Sequence, residues 1–389
     1  MKAYYFALLT GLIAFSCSKL EIKRVDPVIT TISPDAAVPG STLTITGANF
    51  TEDIVVSFGA VNADIIEVSA NSIKVLVPQS LSPSTIELKI DAQGAPTSSS
   101  FEILPFFSEK TSHPDGAFGG TGFVLNDVLY FGMGGQPWYQ YNTNSDTWTP
   151  MNANNAGPDK TAAIGVSVNG KGYILGTGFD GELWEYDPFT NDWTMKSGYP
   201  NDHLIFPAVI VIGSNFYLVT GLQNAISKSV WKYSTVDDEW TQLNDFGGVK
   251  RGNATGFVVN GTGYVGQGYD FDNNSFLNDF YDYNATSDSW AEVGAPINPS
   301  ANLEGGVGFS LGDKGYIGLG RNGTSAPVKD FWKYDPADDS WIQFATYPGN
   351  GVMGVQAFVV ANKVYLINGS NENFSEDYIE MWEFIPESL

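Results

Sequence analysis

Three short segments in the second half of the chain combine aromatic, amide and charged side chains in a way that suits sugar recognition. The segments are 268–276, 320–324 and 369–374. Aromatic rings stack on the apolar face of a sugar, while amides and carboxylates bind its hydroxyl groups. The candidate ligand-binding residues are Tyr269, Asp270, Phe271, Asp272, Asn273, Arg321, Asn322, Asn371, Phe374 and Arg251. They predict a site for a glycan, with a protein ligand as the first alternative; a third interpretation is that the rings pack beneath their own loops.

No residue is predicted to be catalytic. The sequence lacks a phosphate-binding loop, a nucleophile elbow and a paired-carboxylate motif. Glu304 and Arg251 could serve as acid and base in an epimerase or mutarotase, although no motif singles them out. We therefore expect a binding protein, with that enzyme activity as the second alternative.

The spacing Asp270-x-Asp272-x-Asn274 resembles the start of a calcium-binding loop. It lacks the glycine and the late glutamate of that loop. A solvated polar loop is the simpler interpretation. The sequence therefore predicts no metal site, and it gives no sign of a cofactor.

The charge balance argues against a nucleic acid partner. The chain has 19 Lys and Arg against 43 Asp and Glu, a formal net charge of -24. Such a surface repels polyanions, and no basic patch is visible in the sequence that would overcome the repulsion.

The N-terminus has the pattern of an export signal. Met1 and Lys2 precede an apolar run over 3–15, which is too short to span a membrane. Residues 12–17 resemble the bacterial lipoprotein box, with Phe15 as a departure, and the only cysteine of the chain, Cys17, falls in it. This resemblance implies a signal peptide over 1–16, acylation of Cys17, a tether over 17–26, and a membrane anchor in the cell envelope, at the outer membrane and facing either the periplasm or the surface. A plain cleavable signal is the alternative.

Residues 27–104 predict a small β-sandwich. Short Val-, Ile- and Thr-rich runs alternate apolar with polar residues and are separated by turn residues. The run ending in Gly47-Ala48-Asn49-Phe50, the Phe58-Gly59 pair and the closing Val77-Pro78 resemble the IPT/TIG type of immunoglobulin-like domain. That resemblance covers the whole segment and implies a spacer or packing module.

Residues 105–389 contain one pattern written six times. A tyrosine near the end of a hairpin is followed by an aromatic pair, and in five repeats a tryptophan lies nine residues after the first member of that pair. The tyrosines are Tyr130, Tyr173, Tyr217, Tyr264, Tyr316 and Tyr365, and the tryptophans are Trp148, Trp193, Trp240, Trp290 and Trp341. A constant gap indicates strands of fixed register, and four strands per repeat predict a six-bladed β-propeller. The fold class is therefore all-β, with an N-terminal immunoglobulin-like β-sandwich and a C-terminal propeller.

These repeats resemble the Kelch repeat, which also carries a tyrosine, a glycine pair and a tryptophan. Only Gly134-Gly135 is a true glycine pair in this chain. Arg251 lies where Kelch repeats often carry an arginine, which implies a structural role as the alternative to ligand binding. Kelch-like propellers include a copper oxidase and a sialic acid epimerase. The oxidase needs a cysteine-modified tyrosine and two histidines, and a chain whose only thiol is Cys17 does not fit.

The sixth repeat ends before its tryptophan position. Stepping back from Tyr130 by the interval seen between other repeats reaches Phe106. We therefore expect residues 105–110 to supply the outer strand of the last blade and to remove two open sheet edges.

The working face is predicted from loop length. Loops between the first and second strands are tight, whereas those between the second and third strands vary from repeat to repeat. Recognition usually lies in variable loops, and in an up-and-down blade these loops emerge on the side of the connections between blades.

Overall fold

The computed structural model describes residues 25–92, 95–115, 119–132, 136–151, 163–176, 181–201, 204–222, 225–294, 303–323, 328–371 and 375–386. The regular structure of these residues consists of β-strands joined by turns and loops, and the all-β fold expected from the sequence is confirmed. No helix in these ranges is long and apolar enough to cross a membrane. The chain divides after residue 104 into two compact units. The predicted signal peptide and Cys17 lie outside the described residues.

The first unit consists of two sheets. Its strands are β1 (Val28–Ser33), β2 (Ala36–Ala37), β3 (Thr42–Ala48), β4 (Val55–Phe58), β5 (Val61–Asn62), β6 (Ile65–Ser69), β7 (Ser72–Leu76), β8 (Ser84–Ala92) and β9 (Ala95–Ile103). One sheet has the order β1-β3-β7-β6 and the other β2-β9-β8-β4-β5. Alternate residues of these strands, such as Leu43 and Ile45 on β3, are buried in a single core. This alternation is what a sandwich with one solvated face per sheet requires.

The second unit is a series of four-stranded antiparallel sheets, which we call blades 1 to 6. Its strands are β10 (Phe107–Lys110), β11 (Thr121–Leu125), β12 (Val128–Gly132), β13 (Tyr139–Asn142), β14 (Thr147–Pro150), β15 (Ile164–Val168), β16 (Lys171–Leu175), β17 (Leu183–Asp187), β18 (Asp192–Lys196), β19 (Ala208–Ile212), β20 (Asn215–Val219), β21 (Val230–Ser234), β22 (Glu239–Gln242), β23 (Thr255–Val259), β24 (Thr262–Gly266), β25 (Tyr269–Asp270), β26 (Ser275–Phe276), β27 (Phe280–Asn284), β28 (Ser289–Glu292), β29 (Val307–Leu311), β30 (Lys314–Gly318), β31 (Asp330–Asp335), β32 (Ser340–Thr346), β33 (Gln356–Val360), β34 (Lys363–Ile367) and β35 (Met381–Phe384).

The blades follow one another around a ring. Their strand orders are β11-β12-β13-β14, β15-β16-β17-β18, β19-β20-β21-β22, β23-β24-β27-β28, β29-β30-β31-β32 and β33-β34-β35-β10, and β25 and β26 form a separate small hairpin. Innermost strands of neighbouring blades touch between blades 1 and 2, 3 and 4, 4 and 5, 5 and 6, and 6 and 1, and between blades 2 and 3 strand β15 touches β20. Within the described residues, the six sheets therefore enclose a common axis.

Aromatic residues of the repeat hold neighbouring blades together. In blade 1, Phe123 and Tyr130 stack with their ring centroids 5.3 Å apart. Tyr186 and Trp193 of blade 2 pack against Phe123 at 5.7 and 5.8 Å. Aromatic contacts of this kind add roughly 0.5–1.5 kcal/mol each beyond the area they bury. The repeated tyrosines and tryptophans therefore act in blade packing.

The last blade is completed by the strand that precedes the first. Strand β10 pairs antiparallel with β35, and Phe107 lies opposite Phe384. In the other blades the tryptophan lies opposite the second aromatic residue of the pair, as Trp193 does opposite Tyr186. Phe107 therefore occupies the tryptophan position. The alignment of Phe106 with that position was wrong by one residue, because the loop that follows β10 differs in length from the loops between other blades.

A tyrosine and a carboxylate form a second repeated contact. The Tyr233 hydroxyl donates to Asp238 Oδ1 at 2.6 Å, and the same atom accepts the backbone N–H of Ser197 at 2.8 Å. Partial burial alone would raise the pKa of Asp238, but these hydrogen bonds and the nearby Lys196 ammonium outweigh it and hold the pKa below its ordinary value. Equivalent tyrosine contacts involve the carboxylates of Asp146, Asp288 and Asp339, and in blade 2 the amide oxygen of Asn191. The turn between the third and fourth strands is thus tied to the third strand of its own blade. In several blades it is also tied to the chain that leaves the preceding blade.

His113 occupies the joint between blades 6 and 1. It lies six residues after Phe107, at the position that Tyr199, Phe246 and Tyr347 hold in other blades. The side chain is buried among the rings of Phe131, Tyr139 and Trp148. Neither ring nitrogen has a hydrogen-bond partner within the described part of the chain.

Replacing His113 with Phe should remove an acid-sensitive contact. Burial lowers the pKa of His113 to about 4, and the nearby Asp115 only partly opposes that shift. The unfolded chain therefore binds a proton more readily than the folded chain, and stability falls as the pH drops from about 6.5 to about 4. Protonation of His113 should lower the unfolding free energy of the native chain by up to about 3 kcal/mol over that pH interval.

Urea unfolding of both chains at pH 7 and pH 4.5 measures this contribution. Carboxylates with a lowered pKa, such as Asp238, are present in both chains, so their effect cancels when the two losses of stability are compared. We expect the His113→Phe chain to lose less stability between the two pH values than the native chain. Equal losses in the two chains would show that protonation of His113 does not contribute to the loss of stability in acid.

Candidate functional site

The loops between second and third strands meet the connections between blades at one end of the ring, which we call the loop face. Single bridges join a residue just before the first strand of a blade to a residue just after its second strand. The bridges are Ile205–Leu222, Gly252–Tyr269, Glu304–Arg321 and Met353–Ser370. This arrangement brings the predicted variable loops next to the central opening.

Backbone hydrogen bonds tie the loop face together from blade to blade. The N–H groups of Gly221, Gly268 and Gly320 donate to the carbonyl oxygens of Arg251, Leu303 and Val352, respectively, in the next connection. Gly268 has a φ of 94°, a conformation open mainly to glycine. The rim of the opening is therefore a preorganised surface.

An ion pair lies on this rim in blade 5. Arg321 Nε and Nη2 both approach Glu304 Oε1, at 2.7 and 2.6 Å, and Asn253 Nδ2 donates to Glu304 Oε2 at 2.8 Å. The Glu304 side chain is 1% exposed and the Arg321 side chain 37%. A buried carboxylate with both oxygens occupied thus fixes the direction of a guanidinium that reaches solvent.

The predicted segment 268–276 folds into the β25–β26 hairpin. The Asp270 side chain is buried, and its carboxylate accepts hydrogen bonds from the backbone N–H groups of Asp272 and Asn273 and from Asn273 Nδ2. The Asn273 amide, together with these backbone groups, lowers the pKa of Asp270. Asp270 and Asn273 are therefore occupied in shaping the hairpin, and Asp272 pairs with Lys250.

The hairpin presents an aromatic ring at the rim. Tyr269 packs edge-on against Phe271 and against Phe276, each with a centroid distance of 4.9 Å. A Cβ atom on Gly252 would lie 3.1 Å from the Phe271 ring. The Phe271 side chain remains 46% exposed. The interpretation of rings packed beneath their loop holds for Tyr269 and Phe276 but not for Phe271.

The hairpin also reaches blade 5. A Cβ atom on Gly323 would lie 2.6 Å from the Phe276 ring. Gly323 follows Arg321 and Asn322 in the second predicted loop, and Asn322 is partly buried there. In the third loop, Asn371 Nδ2 donates to Ser375 Oγ at 2.8 Å. Phe374 lies outside the described residues.

The position of Arg251 does not fit the ligand-binding role predicted for it. Its side chain is 0% exposed, and its Nη1 and Nη2 atoms donate to the two carboxylate oxygens of Asp279 at 2.6 and 2.9 Å. Nη1 also donates to the Gln267 carbonyl, and the guanidinium lies 5.0 Å from the centre of the Phe246 ring. A group enclosed in this way holds blade 4 together and is not available to a ligand from solvent. Glu304 pairs with Arg321, so the suggested acid–base pair of Glu304 and Arg251 does not form.

Sequence reasoning missed two rim residues. Asn253 orients Glu304, and Phe206 occupies the matching position in blade 3, where its side chain is 52% exposed. Both have a positive φ, 54° and 57°, and the Asn253 N–H donates to the Phe206 carbonyl at 3.1 Å. Aligning the connections on the bridging residue one position earlier would have identified both.

Metal ligands are not gathered at this site. Within the described ranges, no group of three or more His, Cys, Asp or Glu side chains could hold a metal ion. The Asp270 carboxylate, which the calcium-like spacing had suggested, is used by the hairpin itself.

Comparison with known proteins supports both parts of the fold. Residues 27–106 match the IPT/TIG domain family. A solved structure of YjhT superposes with a TM-score of 0.59 at 15% identity and covers 70% of this chain and 95% of that one. At that identity the likeness concerns the fold.

Curated relatives fall into two groups. The Kelch-like protein terF of Aspergillus terreus is 26% identical over 300 residues, which cover 67% of this chain and 61% of terF. An N-acetylneuraminate epimerase of Haemophilus influenzae is 31% identical over 130 residues, 32% of each chain. One from Escherichia coli is 24% identical over 221 residues, 54% of each chain. The matches thus span less than two thirds of the length of these relatives.

Fold and comparisons together define the class. The chain is an all-β protein in which a Kelch-type β-propeller follows an IPT/TIG immunoglobulin-like domain. The chain is similar in sequence to a Kelch-like protein and to N-acetylneuraminate epimerases.

Proposed function

We propose that the propeller binds a carboxylate-bearing glycan on its loop face, without catalysis. The observation that carries this proposal is the Arg321 guanidinium, partly exposed at the rim and fixed by the buried Glu304 and Asn253. An arginine held in this way can bind a sugar carboxylate without first losing side-chain freedom. On its blade 5 side the β25–β26 hairpin contributes Phe276, whose ring lies against Gly323 in the same loop as Arg321.

The relatives favour an acidic sugar. Several are named N-acetylneuraminate epimerases, and N-acetylneuraminate carries a carboxylate on a sugar ring. A chain with a net charge of -24 repels anions at long range, so an anionic ligand needs a defined cationic contact. Arg321 is such a contact on the loop face.

Arg321→Ala should weaken binding of N-acetylneuraminic acid at least about tenfold, because a charge-assisted contact contributes roughly 1.5–3 kcal/mol. Isothermal titration calorimetry of the native chain and the variant measures the change. Lys314→Ala is the matched control, since Lys314 is also an ion-paired cation but lies at the turn between first and second strands, on the opposite face. No binding by the native chain, or equal binding by the Arg321 variant, would refute this site. A screen of defined glycans would then test other sugars.

Epimerase or mutarotase chemistry is the second candidate. It is favoured by the named relatives and by the Glu304 carboxylate beside Arg321. Exchange between the anomers of N-acetylneuraminic acid, followed by NMR, would detect it. Acceleration above the buffer rate that disappears in Glu304→Gln would replace the binding proposal with the enzyme.

The cellular location is part of the same proposal. Acylation of Cys17 would anchor the chain in the cell envelope and present the propeller to ligands outside the cytoplasm. Metabolic labelling with a palmitate analogue tests this, and incorporation that persists in Cys17→Ala would refute it.

A further inference from the structure

Two exposed phenylalanines lie on the loop face, in the two blades that precede the Glu304–Arg321 ion pair of blade 5. Phe206 belongs to the connection that enters blade 3, and Phe271 to the hairpin of blade 4, with exposed fractions of 52% and 46%. Large apolar side chains exposed to this extent cost free energy in water unless something covers them. Arg321 belongs to the loop of the next blade, blade 5.

Backbone contacts connect these phenylalanines to Asn253. The Phe206 carbonyl accepts the Asn253 N–H at 3.1 Å, and Phe271 lies against Gly252, the residue before Asn253. Asn253 in turn donates to Glu304, the partner of Arg321. The rim therefore has an aromatic part in blades 3 and 4, formed by Phe206 and Phe271. The Asn253 amide connects it to a charged part in blade 5, formed by Glu304 and Arg321.

The aromatic part is held rigidly. The Tyr269 hydroxyl donates to Asn274 Oδ1 at 3.0 Å, and the Asp270 carboxylate accepts three hydrogen bonds inside the hairpin. Tyr269 supports the Phe271 ring from one side. A ring fixed in place before binding loses little conformational entropy when a ligand covers it.

We propose that Phe271 and Phe206 form a second sugar subsite, so that the ligand is an oligosaccharide rather than a single sugar. This inference rests on the proposed function, in which the charged sugar binds at Arg321. The next sugar of the chain places the apolar face of its ring on Phe271, with its hydroxyl groups toward water and Asn253. Phe206 extends the apolar surface on the blade 3 side.

Calorimetry with two probes tests the second subsite. The probes are N-acetylneuraminic acid and the trisaccharide in which it is linked to lactose. The native chain should bind the trisaccharide about tenfold more tightly, since covering one half-exposed ring contributes about one order of magnitude in affinity. Phe271→Ala should remove most of that gain and leave binding of the single sugar within about twofold. Phe206→Ala should show a smaller loss of the same kind.

Phe189→Ala is the matched control. Phe189 is almost fully exposed, but it lies in the turn between β17 and β18, on the face opposite the variable loops. Retained binding of the single sugar shows that the Phe271 variant is folded. Equal affinity for the two probes in the native chain, or an unchanged gain in Phe271→Ala, would overturn the second subsite while leaving the site at Arg321 intact. Failure to bind either probe would overturn both.

Discussion

Deleting residues 105–110 from the full chain is expected to leave a propeller that cannot close and that aggregates. The deletion removes β10, so β35 loses its ladder over 381–384 and becomes an open edge. It also removes Phe107, whose ring packs against Phe384 and Phe331 at 5.3 and 5.6 Å. Losing a buried phenylalanine costs about 3–5 kcal/mol, which is comparable to the stability of a whole domain.

Size-exclusion chromatography with light scattering and differential scanning calorimetry measure the outcome. A matched control moves the same segment behind β35 through a copy of the turn between β31 and β32, so that blade 6 gains its fourth strand as the other blades do. This rearranged chain should be monomeric and melt near the native temperature. A deletion variant that stays monomeric with an unchanged melting temperature would show that β10 is dispensable.

Asp279→Ala is expected to destabilise the chain by about 3 kcal/mol, because it leaves the buried Arg251 guanidinium without its carboxylate. Arg251 is 0% exposed, whereas Asp279 is 25% exposed. Removing the arginine instead leaves a carboxylate that water can reach, so Arg251→Leu alone should cost less. The double variant should recover most of the loss, since Leu204, Leu303 and Val352 hold the same position in other blades.

Urea unfolding at pH 7 gives the four free energies of this double-mutant cycle. The backbone contacts of Arg251 to Gln267 and Val249 are lost in the double variant, so recovery should be substantial but incomplete. A change below about 0.5 kcal/mol in Asp279→Ala would show that the ion pair is not what stabilises blade 4.

Most of the fold could be predicted from the spacing of the repeated residues. A tryptophan nine residues after the first member of an aromatic pair corresponds to a fixed cross-strand partner, as between Trp193 and Tyr186. The contact of the tyrosine hydroxyl with a turn residue is equally visible in the sequence, as an Asp or Asn five residues after the second member of that pair. It was overlooked because turn residues such as Asp238 are expected in turns whatever their side chains contact.

The site was harder to predict because its residues lie in connections of variable length. The sequence suggests Arg251 and Glu304 as partners, yet Arg251 aligns with Leu303, and Glu304 aligns with Gly252. They occupy successive positions of the connection, one enclosed within a blade and one beneath the rim. Nothing in the spacing distinguishes these positions. Phe271 was identified by composition alone, and whether a loop phenylalanine is covered depends on packing that the sequence does not state.

Pairing Phe107 with Phe384 has a consequence for synthesis of the chain. Strand β10 emerges from the ribosome before any other strand of the ring, and its partner β35 emerges last. Blade 6 can therefore form only after the strands of all the other blades have emerged, and β10 must remain unpaired until then. Because β10 is short and carries the charges of Glu109 and Lys110, the unpaired strand is a poor template for pairing with other unfolded chains.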